Sequence, residues 1–282
     1  MVKRASDYTR EATERCERVL VTVLGNVGPW REHIYLAGGL APRYLVGALP
    51  EGERPHVGTT DVDLVIGLSL TDESVEAYRT LERNLKDAGF TQAEPSFRWA
   101  REVEGITVLV EFLCETDEVE EGRIFKPKHG TGANLSAFNV SGALLAARDY
   151  VEVEIEAERL DEGGRSKVSV RVANVLPYVV LKINAFQDRH ENKDAYDLVF
   201  TLRNYRDDPE ETGRGVAASP VAGDEQVADA MKFLEERFAD PDNDGPSAYA
   251  DFLAEDEDER EQLKREASAV VRGVLTGFRE AV

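Results

Sequence analysis

Residues 59–66 read Thr-Thr-Asp-Val-Asp-Leu-Val-Ile, two aspartates one residue apart at the head of an apolar, largely β-branched run. Such a run has to be a strand, and side chains at i and i+2 leave the same face of a strand. Asp61 and Asp63 therefore share a face, their roots roughly 7 Å apart by the strand rise. That is close enough for the two carboxylates to share or bridge Mg²⁺ ions of the kind that hold triphosphates. A clamp of this type belongs to phosphoryl or nucleotidyl transfer; the plainer alternative is a solvated strand edge with two exposed acids.

The neighbouring sequence sharpens the reading. About twenty residues upstream stands Ala37-Gly38-Gly39-Leu40-Ala41, a strand-to-helix turn with residues 40–49 expected as the helix. Glycines without a Cβ let backbone N–H groups approach phosphate oxygens, and a helix beginning there would point its positive end at the same place. Thr59 and Thr60 precede the first aspartate, where a hydroxyl could bond phosphate, and Arg43 could reach a phosphate or make a surface pair. Residues 97–103 and 106–113 read as a hairpin turning at Glu104-Gly105. Its second arm carries Glu111 among Val, Leu and Phe, a candidate third metal ligand or general base, since an unpaired buried carboxylate is costly.

Elsewhere the pattern predicts an opening helix at 6–24 capped by Ser6 or Asp7, and an amphipathic helix at 72–88 with Val75, Tyr78, Leu81 and Leu85 on its apolar side. A loop at 120–133 carries Arg123, Lys126, Lys128 and His129, and a hairpin extension covers 149–173. From 174 onward the pattern is helical. In one continuous helix Lys182 and Asp197 would lie about 22 Å apart. Asn192 is a good cap residue, so the segment reads as two helices joined near 190–192, folding Lys182 toward Asp194 and Asp197. At such a place the Lys182 ammonium could hold nucleotide phosphates; the alternative is a snorkelling surface lysine.

The net charge is −21, and residues 206–260 alone hold 18 acidic and 5 basic side chains. A surface of that sign does not attract nucleic acid as a whole, although the less acidic N-terminal part has room for a local basic groove. Cys16 and Cys114 are the only cysteines, which excludes a disulfide framework and a thiolate metal site. The sequence has no run of eighteen apolar residues and no apolar signal core, so no membrane partner and a cytoplasmic location are expected.

Taken in order, Gly-Gly-Leu-Ala at 38–41, Thr-Thr-Asp-Val-Asp-Leu at 59–64, the strand acid Glu111, and Lys182 followed by Arg-His-Glu-Asn-Lys-Asp-Ala-Tyr-Asp-Leu at 189–198 resemble the nucleotidyltransferase superfamily with the polymerase β-type palm. Within it they are most similar to the AbiEii-type nucleotidyltransferases, toxins of type IV toxin–antitoxin systems, over roughly residues 33–205. With the patterning, which reads as mixed α/β in the first part and helical from 174, the resemblance gives an α+β fold as the expectation, with a palm domain at 1–173 (a mixed sheet with flanking helices) and an acidic helical domain at 174–282. It implies Mg²⁺ and an NTP as cofactors, Asp61, Asp63 and Glu111 on the metals, and Gly38 and Gly39 at the phosphates. It also implies nucleotide-binding roles for Lys182, Asp194 and Asp197, with the tRNA 3′ end as acceptor and a cognate antitoxin as partner. Where the family carries Arg before the Thr-x-Asp-x-Asp stretch, this chain has His56-Val57-Gly58, so that contact is absent or comes from Arg54 or Arg43. Two other readings stand beside this one: a transferase acting on a cationic small molecule of the antibiotic type, and a non-catalytic nucleotide- or protein-binding module.

Overall fold

A computed structural model of the chain describes residues 4–25, 27–49, 53–67, 72–126, 135–161 and 163–282. Along the chain the elements are α1 (Arg10–Gly25), β1 (Ile34–Ala37), α2 (Pro42–Leu45), β2 (Asp61–Ile66), α3 (Asp72–Asp87), β3 (Thr91–Ala93), β4 (Arg98–Val103), β5 (Ile106–Cys114), β6 (Ile124–Phe125), β7 (Ala137–Asn139), β8 (Tyr150–Glu158), β9 (Arg165–Ala173), α4 (Val175–Arg189), α5 (Asn192–Asn204), α6 (Pro209–Ala217), α7 (Glu225–Phe238), α8 (Asp244–Leu253) and α9 (Glu257–Ala281). The fold is α+β with a mixed sheet. No helix among the described residues is long and apolar enough to cross a membrane.

The chain divides into two compact units, and neither is contiguous. One comprises Thr9–Leu40 and Gly58–Ala173; the other comprises Met1–Tyr8, Ala41–Val57 and Asn174–Val282. The break expected at 173/174 is one place where they part, but residues 1–8 and 41–57 belong with the helices rather than with the sheet.

In the sheet unit the strand order is β3-β4-β5-β2-β1-β9-β8, with β6 and β7 attached through β7 to the far end of β5. β2 runs parallel to β5 and antiparallel to β1, so the acidic strand lies in the interior of the sheet. In β5 the residues Val108, Val110, Phe112 and Cys114 alternate into the core, leaving Leu109, Glu111 and Leu113 on the other face. The 104–105 turn has positive φ at both Glu104 and Gly105, the backbone a two-residue hairpin needs for its twist to match the strands.

Helix α1 buries Cys16, Val19, Leu20, Val23 and Leu24, an i, i+3, i+4, i+7, i+8 stripe. It starts later than expected because Thr9, not Ser6 or Asp7, caps it: Thr9 Oγ1 accepts from the Ala12 N–H at 3.2 Å. The 150–173 hairpin is no extension. β9 pairs in parallel with β1 and continues the sheet, because Ile155, Ala157, Val168, Val170 and Val172 all alternate to one face and are buried there. α3 buries Leu81 and Leu85. The side chains of Val75 and Tyr78 lie outside the described residues, as do Lys128 and His129 of the basic loop.

The helical unit is built around α5, where ten of its residues from Lys193 to Leu202 are buried. Helices α4, α8 and α9 pack on it, burying Phe186, Tyr249, Phe252, Val271 and Val274, and Phe238 of α7 packs in turn on Phe186. α6 and α9 approach so closely that a Cβ on Gly277 would overlap the backbone of Glu210. The helix expected over 40–49 is only the single turn Pro42–Leu45, because Val46 is already extended at φ −91°, ψ 131°. One turn carries little of a helix dipole.

Candidate functional site

The two aspartates stand where β2 begins, and the strand fixes their direction. Val62 and Leu64 point into the core and are fully buried, so Asp61 and Asp63 must leave by the opposite face, where both are half-buried. Asp63 is in register with Glu111 of the parallel neighbour β5, and Glu111 with Arg98 of β4. Directly paired residues project to the same side of a sheet. One transverse row therefore carries Arg98, Glu111 and Asp63 in succession, with Asp61 on the same face two residues away.

Each acid has a named support. Thr59 is buried and its hydroxyl donates to Asp61 Oδ1 at 2.5 Å. Its own backbone is pinned from below: the Thr59 N–H donates to Thr13 Oγ1 at 3.3 Å and the Cys16 thiol lies 3.7 Å from the Thr59 carbonyl. Burial first, then the charges of Asp61 and Asp63, push the Cys16 thiol pKa up, so it stays protonated. Gly38 ends β1 at φ +64°, and its missing side chain is filled by the Asp63 carboxylate, which a Cβ would overlap. Gly39 is buried in the same short 3-10 turn (Gly38–Leu40). Thr60, half-buried, occupies a bend just before the strand.

Glu111 is placed differently from the other two acids. Its Oε1 lies 2.7 Å from Arg98 Nε, with the Glu111 side chain 12% exposed. Among the described residues, no group of three or more His, Cys, Asp and Glu side chains is gathered as a metal-holding cluster. The donor chemistry nevertheless suits a hard divalent cation, since three carboxylates share one sheet face and Gly38 leaves room for one of them over the backbone. As arranged, Asp61 and Asp63 fit as donors and Glu111 is engaged by a guanidinium.

In the helical unit the chain turns between α4 and α5 at His190, a non-glycine residue at φ +50°. The two-helix reading holds, although Glu191 rather than Asn192 takes the cap position. The turn brings Lys182 onto both aspartates: its ammonium donates to Asp197 Oδ2 at 2.8 Å and Asp194 Oδ1 at 3.0 Å. Asp194 also accepts two bonds from Arg189, at 2.6 and 2.8 Å. Asp197 accepts from Lys193 and lies 2.7 Å from His56 Nε2. Lys182, Asp194 and Asp197 are all buried.

The charge states of this cluster follow from its neighbours. Burial is the largest single influence and would raise both carboxyl pKa values, but Lys182 together with Arg189 at Asp194, and with Lys193 and His56 at Asp197, outweighs it; both stay ionised. Burial would lower the Lys182 pKa, and Asp197 and Asp194 reverse that. Burial pushes His56 down to about 4, and the hydrogen bond to Asp197 recovers only part, with two ammonium groups nearby working the other way. His56 is thus neutral, and with Asp197 ionised its Nε2 carries the proton and donates it. Lys182, Asp194 and Asp197 satisfy one another in the interior of the helical unit. Arg43 is exposed on α2 of the same unit.

Sequence reasoning missed Arg98, which had a usable signal. Once Glu104-Gly105 is the turn and Val103 faces Ile106, counting outward along both arms leaves Arg98 opposite Glu111. Comparison of the chain with protein-family models, with curated proteins and with solved structures finds no match.

Proposed function

We propose that this protein is a divalent-metal-dependent nucleotidyltransferase with a polymerase β-type, AbiEii-like site, moving an NMP group from an NTP to an acceptor hydroxyl. The observation that carries the reading is the sheet face itself: Asp61 and Asp63 on an interior strand, Glu111 in register beside them, and Gly38 without a side chain against Asp63. Mg²⁺ held by Asp61 and Asp63, with Glu111 joining them, would supply the positive charge that a triphosphate and a departing pyrophosphate require. The chain's own residues do the positioning. Thr59 fixes the Asp61 carboxylate, Gly38 seats that of Asp63, and pairing of β2 with β5 at both residues, and with β1 at Asp63, keeps them from drifting. Such preorganisation is the main device available to phosphoryl-group transfer. Lys182 is not asked to reach a phosphate in this reading; with Asp194 and Asp197 it braces the α4–α5 corner.

For the acceptor, the family resemblance points to the tRNA 3′ end and so to a toxin with a cognate antitoxin. The net charge of −21 favours a second reading, a cationic small molecule of the antibiotic type, which an acidic protein attracts and a polyanion does not match. Incubation of the protein with each α-³²P-labelled NTP, Mg²⁺ and either total tRNA or aminoglycosides tests both, against an Asp61→Asn/Asp63→Asn control. Label in the tRNA from the intact protein alone is the expected result. Label in the aminoglycoside alone selects the second reading, and no transfer to either acceptor overturns both.

A further inference from the structure

Arg98 and Glu111 make an unusual contact. The guanidinium Nε is 2.7 Å from Glu111 Oε1, a hydrogen-bond distance, yet this buried Nε makes no hydrogen bond. The two observations agree if the N–H does not point at the oxygen, since alignment decides as much as distance. At this nitrogen the contact is one of charge, without the directional bond that strengthens aligned Arg–carboxylate pairs. The guanidinium also lies over the Phe97 ring, 5.2 Å from Cζ to the ring centroid. Register places the pair in line with Asp63. A carboxylate held this way is exchangeable: a divalent cation offers it a larger charge and direct coordination.

Resting on the reading of this face as a metal-dependent nucleotidyltransfer site, we propose that Arg98 is a positioning residue that serves as a tethered counter-cation for Glu111, neutralising it until a divalent cation takes it over. Arg98 competes with the metal for the third carboxylate. Asp61 and Asp63 then capture the cation first, and Glu111 closes on it at the expense of the guanidinium.

The test is Mn²⁺ binding to the nucleotide-free protein, read by electron paramagnetic resonance of the unbound ion, with folding checked by circular dichroism. Arg98→Gln removes the competitor and tightens Mn²⁺ binding by about tenfold, the order expected for deleting one charge a few ångströms away at partial burial. Adding Glu111→Gln to it abolishes the gain. Glu111→Gln alone carries the test should Arg98→Gln not fold, because it leaves no carboxylate unpaired. It weakens Mn²⁺ binding less than Asp61→Asn does, since the wild-type Glu111 must be drawn off Arg98. Unchanged or weaker binding in folded Arg98→Gln, or equal losses in Glu111→Gln and Asp61→Asn, overturns the proposal while the metal site stands. No Mn²⁺ bound by the wild type or by Arg98→Gln overturns the proposal together with the reading beneath it.

Discussion

Thr59 has a single hydroxyl hydrogen, and Asp61 takes it. The residue therefore acts through the Asp61 carboxylate, a proposed metal donor, rather than on a phosphate directly. Thr59→Val keeps the shape, removes the donor and costs about 1–2 kcal/mol of stability; it also weakens Mn²⁺ binding, which Thr59→Ser restores. Calorimetric unfolding and Mn²⁺ titration of the two variants check both effects. Gly38→Ala is the harsher change. It meets both the left-handed backbone at φ +64° and the space held by the Asp63 carboxylate, so the folded variant is expected to bind Mn²⁺ far more weakly than the wild type in the same titration. At this scale the aspartates were legible because a two-residue period needs no partner strand to be read. The role of Gly38 was not, since it is set by the Asp63 carboxylate lying against it, which depends on β1 and β2 being paired; Thr59 was legible only as a hydroxyl with two possible acceptors, a phosphate or its own neighbour Asp61.

At the scale of elements, the α4–α5 corner is stabilised by buried charges that satisfy one another. Removing one partner from such a set leaves an uncompensated charge, so Lys182→Met is expected to cost about 3–5 kcal/mol and lower the thermal midpoint. Mn²⁺ affinity below that midpoint is unchanged, because every proposed metal donor belongs to the sheet unit. His56 gives the corner a pH dependence. Its folded pKa, about 4, lies below its ordinary value of about 6.5, so the unfolded chain takes up the proton first. The stability it confers is whole above about pH 6.5 and is lost as pH falls toward 4, by about 3 kcal/mol in all. The depressed carboxyls of Asp194 and Asp197 extend the loss below the ordinary carboxylate range. Urea midpoints measured across this range should fall steeply for the wild type and much less for His56→Gln, which can still donate to Asp197. The corner was visible in the sequence because the spacing of Lys182 and Asp197 made no sense in one straight helix. His56 was not, since nothing local ties residue 56 to residue 197.

For the whole molecule the governing quantity is a net charge of −21. Self-repulsion opposes compactness, and raising salt from 0.1 to 1 M cuts the screening length from about 10 to about 3 Å. The thermal midpoint is expected to rise with NaCl over that range, despite the weakening of exposed ion pairs such as Arg10–Glu14; a flat or falling midpoint in scanning fluorimetry contradicts this. The α+β class was readable from the patterning. The assignment of 41–57 to the helical unit was not, because its ties are long-range: His56 to Asp197, the Val57 N–H to the Tyr196 hydroxyl at 3.0 Å, and Glu53 to Arg203 at 3.0 Å.

That assignment has a bearing on how the chain is made. A ribosome has supplied everything the sheet unit uses once residue 173 is polymerised, whereas residues 41–57 must wait until α5 exists before His56 can meet Asp197. The segment joining the glycine turn to the acidic strand is thus secured only after every residue of the sheet unit has been made.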